Sequence, residues 1–335
     1  MPDFSSGINL WEYIDILRCF IFLFMTTDLI NQFIQANEHR DFGAYTKAMD
    51  AALDAKAQAL FPHFGDIHKG DRIVDAGAGT GKLAAEAARV FTDADVIALD
   101  ISPELLREAR KIPSITTQFG NAVDQNFPDN SIKVKYFSTS GHEIESFGGQ
   151  GSMRIAVRQT FRELVPEGRI IIRDFAKPSL TKPIYMKILT SVGGSKYTAN
   201  HAEIAYNLLS TRALFERFHT EFKKGSAFDY SVEYVAGEEY IKLLPEWAHE
   251  FYLRKDYTGN WKNEIKEKYT YWTLEDAYSI LAEEGFAQIS VIPELNEYIY
   301  LNRLQGKIAL FEIQNTTIKP LAFPPTHMVI VATKP

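Results

Sequence analysis

Four residues between positions 75 and 81 have the types and spacing that suit a nucleotide-like ligand. Asp75 ends a short apolar run, and glycines follow at alternate positions, Gly77, Gly79 and Gly81. Glycine lets the backbone turn sharply and lets a ligand approach where a Cβ atom would collide. We therefore predict a tight turn that leads from a strand into a helix and forms one wall of a ligand site.

Two familiar nucleotide-binding loops match this stretch only in part. A Walker A phosphate loop would need a glycine where Ala76 stands and a hydroxyl for Mg²⁺ where Leu83 stands. A dinucleotide fingerprint would need its third glycine at the position of Lys82. A tight turn without any ligand remains as an alternative, and the motifs downstream weigh against it.

A second acid, Asp100, closes the apolar run that begins at Asp95. It follows Asp75 by 25 residues, so the two acids should end neighbouring strands. A carboxylate there can accept both ribose hydroxyls of an adenosyl group, with Ile101 beside it. Ser102-Pro103-Glu104 then predicts the start of a helix, and capping of that helix is the alternative role of Asp100.

The elements that must position these residues alternate between strands and helices. Such alternation predicts a parallel sheet covered by helices on both faces. The predicted helices are Lys82–Val90 and Met153–Leu164, and the further strands are Ile115–Phe119, Ile132–Ser138 and Arg169–Phe175.

The run Val74-Asp-Ala-Gly-Ala-Gly-Thr-Gly81, together with Asp100 and the later strands, resembles class I S-adenosylmethionine (SAM)-dependent methyltransferases. The resemblance covers roughly Gly70 to Phe175. It implies an α/β fold, a doubly wound, mostly parallel sheet with an antiparallel last strand, and SAM as the cofactor, with S-adenosylhomocysteine as product. The implied cofactor-binding residues are Asp75, Gly77, Gly79, Gly81, Asp100, Ile101, Asn121, Ala122, Ser138 and Tyr45. Asn121 departs from the acid that the family often has there, and its amide oxygen can still accept from an adenine amino group.

Candidate catalytic residues follow the fourth and fifth strands. Methyl transfer from a sulfonium needs positioning above all, and a base can remove the proton of an oxygen or nitrogen acceptor. His142 and Glu143 lie just beyond the fourth strand and Asp174 ends the fifth, so these three are the predicted catalytic residues. Loop orientation or capping is the alternative for each. We predict no metal site, and no Gly-x-Ser-x-Gly elbow suggests a hydrolase.

Composition limits the possible function classes. The net charge of −7 argues against a protein that coats nucleic acid. Cys19 is the single cysteine, which excludes an intramolecular disulfide and fits a cytoplasmic setting. The apolar run from Cys19 to Met25 is too short for a membrane-spanning helix. We predict one or two buried helices over Leu10–Ala36 that form a homodimer or cap surface, with attachment to a membrane surface as the alternative.

Four segments are predicted. Residues 1–60 form an N-terminal helical segment, 61–176 the SAM-binding core, and 177–272 a large α+β lid insertion rich in aromatic residues. Residues 273–335 complete the core around a second insertion at about 295–325. Within the lid we expect helices at Ala202–Phe222 and Pro245–Arg254 and a strand at Tyr230–Val235.

The sequence thus favours a SAM-dependent methyltransferase whose lid encloses a small-molecule acceptor. Methylation of a protein or RNA, a methyltransferase-like binding subunit without catalysis, and aminopropyl transfer remain open at this point. The run Arg254–Trp261 has no assigned role.

Overall fold

The computed structural model describes residues 52–189, 203–222, 228–315 and 317–335. Its strands are β1 (Arg72–Ala76), β2 (Asp95–Asp100), β3 (Thr116–Phe119), β4 (Ile132–Ser138), β5 (Leu164–Phe175), β6 (Ile184–Ile188), β7 (Tyr230–Val235), β8 (Glu238–Leu243), β9 (Ala287–Glu294), β10 (Ile308–Gln314), β11 (Thr317–Leu321) and β12 (His327–Thr333). Its main helices are α1 (Leu53–Leu60), α2 (Lys82–Val90), α3 (Pro103–Ala109), α4 (Gly141–Gly148), α5 (Ser152–Glu163), α6 (Thr211–Glu221), α7 (Pro245–Arg254) and α8 (Leu274–Glu283).

Seven strands form the main sheet in the order β3-β2-β1-β4-β5-β12-β9. The strands from β3 to β5 pair in parallel, whereas β12 runs antiparallel to both β5 and β9. The chain order reverses between β1 and β4, and open α/β sheets bind ligands at the carboxyl ends of strands beside such a reversal. The predicted fold class, including the antiparallel last strand, is confirmed.

Apolar side chains fill both faces of the main sheet. On one face Ile73, Val134 and Ile171 pack against α1 and α2, and on the other Val74 and Ile172 pack against α5 and α8. Burial on both faces explains the short apolar runs in β1, β2 and β5, whereas the edge strand β3 is more polar.

The two insertions combine into a second sheet. Its five antiparallel strands have the order β11-β10-β6-β8-β7, in which β6, β7 and β8 come from the first insertion and β10 and β11 from the second. A separate apolar cluster, with Phe215, Phe218 and Phe251 at its centre, packs against this sheet. The insertions therefore have a core of their own.

Most predicted elements of the described chain are present, with three differences. The helix predicted from Ala202 is shorter, because α6 begins only at Thr211, where the hydroxyl of Ser210 caps it. Strand β5 begins at Leu164 and not at the predicted Arg169, so that Pro166-Glu-Gly168 lies inside it as an irregularity in which Glu167 has φ 62°. Strands β6, β8, β10 and β11 were not predicted.

The predicted N-terminal helices and their dimer surface lie outside the described residues, as do Tyr45 and Cys19. No helix in the described ranges has both the length and the apolar character needed to cross a membrane.

Candidate functional site

A cleft opens at the carboxyl ends of β1, β2, β3 and β4, and holds about 860 Å³ of space including its mouth. Helix α4 closes one side of it. The cleft is lined by Gly77, Gly79, Leu99, Asp100, Ile101, Leu105, Gly120, Asn121, Ala122, Val123, Ser138, Thr139, Ser140, Glu143, Ile144, Phe147 and Gly148.

The glycine loop forms the floor of the cleft, and its glycines serve different purposes. All three have positive φ, 79° at Gly77, 56° at Gly79 and 76° at Gly81. A Cβ atom at Gly77 would lie 2.5 Å from Ser140 Cβ, and one at Gly81 would lie 2.9 Å from Ala109 Cβ, so these two permit close packing. A Cβ at Gly79 would meet no atom within 4 Å, so this glycine keeps open space beside the loop.

Asp100 ties the glycine loop to the end of β2. One carboxylate oxygen accepts from the Gly79 N–H at 2.7 Å and the other from the Ser102 N–H at 2.8 Å. Burial raises the pKa of Asp100 to about 6, against the effect of these two hydrogen bonds. A carboxylate has about four lone-pair sites, so each oxygen can still accept one hydroxyl from a ligand.

Two hydroxyls at the end of β4 are buried beside the cleft. Ser138 Oγ and Thr139 Oγ1 have no hydrogen-bond partner among the described residues. Thr139 also has φ 58°, a strained value for a β-branched residue. Buried polar groups normally find partners, and backbone strain concentrates at ligand sites. These hydroxyls therefore fit a cleft that is completed by a polar ligand.

A loop after β3 forms the opposite wall. The Asn121 side-chain oxygen accepts from the Val123 N–H at 3.3 Å, and Asn126 Nδ2 donates to the Asn121 carbonyl at 2.7 Å. The fully buried Glu163 anchors the end of this loop, because its Oε1 accepts hydrogen bonds from the backbone N–H groups of Asn126 and Phe127. Its Oε2 pairs with Lys135 at 2.8 Å.

Asp75 lies beneath the glycine loop, buried to 2 % exposure. Burial raises its pKa to about 7, and the Tyr136 hydroxyl and Lys56 act in the opposite direction. Burial lowers the pKa of Lys56, from α1, to about 8, although the carboxylates of Asp75, Asp174 and Glu143 favour its charged form.

Helix α4 faces the cleft on one side and the insertion on the other. Glu143 lines the cleft, while His142 is buried at 4 % exposure behind it. His142 Nδ1 lies 2.8 Å from Asp174 Oδ1, and its Nε2 lies 3.5 Å from Glu267 Oε2. Burial alone would lower the pKa of His142, but these carboxylates raise it well above its usual value.

The end of the insertion packs directly on α4. The Lys268 N–H donates to Ser146 Oγ at 2.6 Å, and the Tyr269 ring meets the His142 ring edge-on at 5.2 Å. The Lys177 N–H donates to the Trp272 carbonyl at 2.8 Å, and this hydrogen bond joins the first and last residues of the insertion. One eight-residue helix thus connects the cleft to the insertion.

The structure brings most of the predicted site residues together. Eight of them line the cleft: Gly77, Gly79, Asp100, Ile101, Asn121, Ala122, Ser138 and Glu143. Asp75 and Gly81 instead support the loop from behind, and His142 and Asp174 lie between the cleft and the insertion. Tyr45 lies outside the described residues.

Sequence reasoning missed several residues of this region. Thr139, Ile144 and Phe147 stand next to predicted ones, and extending the motif along the chain would have found them. Lys56 and Glu267 carry no sequence signal, because each is a single charge in an ordinary helical or turn segment. Tertiary packing alone brings Lys56 close to Asp75 and brings Glu267 close to His142.

Comparisons with known proteins agree with this geometry. Residues 73–168 match the family model described as "Methyltransferase domain". A demethylmenaquinone methyltransferase of Symbiobacterium thermophilum is 32 % identical over 163 residues, which cover 45 % of this chain and 55 % of that protein. The ubiquinone/menaquinone biosynthesis C-methyltransferase UbiE of Photorhabdus laumondii is 28 % identical over 153 residues, 42 % of this chain and 54 % of that protein. The matched part of the chain spans about half the length of these relatives.

Solved structures match this chain at low identity. A SAM-dependent methyltransferase of Thermotoga maritima is 13 % identical with a TM-score of 0.46, covering 90 % of this chain and 99 % of that one. A SAM-dependent methyltransferase of Mesorhizobium loti is 15 % identical with a TM-score of 0.46, covering 84 % of this chain and 99 % of that one.

The cleft and the family match together define the class of the core. Residues 73–168 form a methyltransferase domain of the class I SAM-dependent type, as the sequence motifs predicted. SAM is the cofactor of that class, and the glycine loop, Asp100 and the buried hydroxyls provide a site that fits it.

Proposed function

We propose that this protein transfers a methyl group from SAM to a small-molecule acceptor held between the cleft and the insertion. The observation that carries the proposal is the position of α4, which places Glu143 in the cleft and His142 against Glu267 of the insertion. The acceptor must reach the cofactor, and the insertion packs on the helix that lines the cofactor cleft.

Named residues would hold the cofactor. Asp100 offers acceptors for the ribose hydroxyls, and the loop at Asn121 and Ala122 offers a wall for the adenine. Gly79 leaves room for the aminoacyl end, with Ser138 and Thr139 as donors or acceptors near it. The bound cofactor supplies the methyl group on a sulfonium, so the chain itself chiefly positions the acceptor.

Among the three predicted catalytic residues, Glu143 is the one that faces the cleft. We propose that it contacts the acceptor or the cofactor and takes up a proton where the acceptor must lose one. Asp174 accepts from the His142 N–H at 3.0 Å as well as facing its ring, so these two residues position the start of α4.

A small acceptor is supported by two further observations. The curated relatives above are named for methylation of quinones, which are small molecules. The insertion has its own apolar core and second sheet, as a rigid lid would need. Protein or RNA acceptors remain outcomes of the acceptor screen below.

The first test is calorimetric binding of SAM and S-adenosylhomocysteine. Wild-type protein should bind both with micromolar or tighter Kd, and Asp100→Ala should bind at least tenfold more weakly. Asp95→Ala is the matched control, because Asp95 is an exposed acid at the other end of the same strand. Undetectable binding to folded wild-type protein would overturn the proposal.

The second test follows methyl transfer from radiolabelled SAM to a panel of quinols, phenols and amines, with protein and RNA samples alongside. Glu143→Gln should lower turnover of the accepted substrate more than it lowers SAM binding. Transfer confined to the protein or RNA samples would replace the small-molecule acceptor by a macromolecular one.

A further inference from the structure

A histidine and two glutamates converge where α4 meets the insertion. The side chains of His142, Glu143 and Glu267 each offer one ligand atom, and these atoms all lie within 4.8 Å of one another. His142 and Glu143 come from the core, whereas Glu267 comes from the insertion. We propose that these three residues bind one divalent metal ion of the Zn²⁺ type.

The spacing between the histidine and the insertion glutamate fits a shared ion, which would take the place of the imidazole proton that faces Glu267 in the metal-free protein. His142 Nε2 lies 3.5 Å from Glu267 Oε2, which is longer than the usual N–H···O range of about 2.7–3.2 Å. Two ligand atoms at about 2.1 Å from a tetrahedral ion lie about 3.4 Å apart. Glu143 completes the set through rotation about its side-chain bonds.

The surroundings of His142 are those of a metal ligand. Metal-bound histidine usually presents its other ring nitrogen to a carboxylate, which fixes the ring and raises its basicity. Asp174 Oδ1 meets His142 Nδ1 at 2.8 Å and is itself fully buried. Nε2 is thereby left to face Glu267.

The charges at the site also favour a cation. The carboxylates of Asp174, Glu143 and Glu267 surround one imidazole and outnumber the nearby cation Lys56, and burial makes such an excess of negative charge costly. A set of one imidazole and two carboxylates suits Zn²⁺ or Mn²⁺ better than a softer ion. Three protein ligands leave a coordination position for an oxygen from water or from a bound molecule.

The site would have two consequences for the molecule. It would fasten the insertion to α4, because Glu267 and the two core ligands belong to different parts of the chain. It would also lie beside the cofactor cleft, since Glu143 lines that cleft, and with the ion bound Glu143 would act as its ligand and not as a proton acceptor.

The test is zinc binding to the full-length protein after treatment with a chelator and dialysis, in the absence of SAM. Calorimetry should show one site with micromolar or tighter Kd, and Mg²⁺ should bind far more weakly. Glu267→Gln should weaken Zn²⁺ binding at least thirtyfold. Glu246→Gln is the matched control, because this insertion glutamate pairs with Lys177 and Lys268 outside the cluster and should leave the Kd unchanged.

A spectroscopic measurement keeps the test decisive if Glu267→Gln fails to fold. Wild-type protein loaded with Co²⁺ should show the strong visible absorption of a tetrahedral site, and X-ray absorption should report one imidazole among oxygen ligands. No stoichiometric binding, or equal binding to wild type and Glu267→Gln, would show that the cluster is an ion-paired network only. Because SAM is absent throughout, this outcome is independent of the proposed methyl transfer.

Discussion

The carboxylate of Asp100 accepts a hydrogen bond of 2.7 Å from the backbone N–H of Gly79, and so joins the end of β2 to the glycine loop after β1. The two residues are 21 positions apart in the chain. The contact sets the shape of the cleft before any ligand binds, because it fixes the loop at the residue that borders open space.

Replacing Asp100 by asparagine should weaken SAM binding roughly 10- to 100-fold, as expected when a charge-assisted hydrogen bond is lost. An amide supplies one acceptor oxygen for two backbone N–H groups, and its NH₂ group would face one of them. Calorimetry of SAM binding measures the loss. Asp95→Asn should bind as wild type does, and an equal loss in both variants would contradict this role of Asp100.

Gly79→Ala should weaken SAM binding, while its loss of stability should be no larger than that of the same substitution at another glycine with positive φ. Its positive φ costs a Cβ-bearing residue about 1–2 kcal/mol, and the new methyl group would enter the space beside the loop. Gly70→Ala is the matched control, since Gly70 has φ 85° and open space around it but lies before β1, away from the cleft. Thermal unfolding should show similar losses in both variants. Calorimetry should show weaker SAM binding in Gly79→Ala alone, and similar SAM affinities would refute the argument.

Asp75 and Asp100 should each contribute stability to the ligand-free protein at low pH, and this contribution should be lost as the pH rises from about 4 to about 7. Burial raises the pKa of Asp75 from its ordinary 3.8 to about 7, and that of Asp100 to about 6. The folded state therefore holds protons that the unfolded state releases, and the stability that they provide at low pH is lost as the pH rises through these values.

Asp75→Asn should remove this residue's share of the loss, so the variant should gain stability relative to wild type between pH 5 and pH 8, by up to about 4 kcal/mol at pH 8. Urea titrations at pH 5 and pH 8 would measure this gain. Asp93→Asn, at an exposed acid before β2, should keep the wild-type slope. A slope unchanged in Asp75→Asn would show that this carboxyl group is not its source.

The buried pair of Lys135 and Glu163 should behave non-additively. Both side chains are fully buried 2.8 Å apart, and removing one partner strands a charge at a cost of roughly 3–5 kcal/mol. Lys135→Met should therefore destabilise the protein more than the double variant Lys135→Met/Glu163→Gln. In the double variant, the glutamine oxygen can still accept from Asn126 and Phe127. Urea unfolding of the four proteins completes the cycle, and simple additivity would contradict the coupling.

Local signals were sufficient for the elements of the core. Helix α2 and strand β4 have the predicted bounds, because apolar runs and helical periodicity are read directly from neighbouring residues. In the insertion the same logic located β7 and α7. It failed for β6 and β10, whose antiparallel partnership joins two insertions that are far apart in the chain. A short strand is stabilised by the residues opposite it on the paired strand, and these partners cannot be identified from the residues next to it in the sequence.

By itself, the sequence determined the class of the core and the position of its cleft. The glycines at alternate positions and the acid after β2 act through local backbone geometry, so their types and spacing already specify a turn that a ligand can approach. Only the tertiary structure decided that Glu143 faces the cleft, that His142 meets Asp174 and Glu267, and that the two insertions share one sheet. Those contacts join residues distant in sequence, and the packing that brings them together is a property of the whole fold.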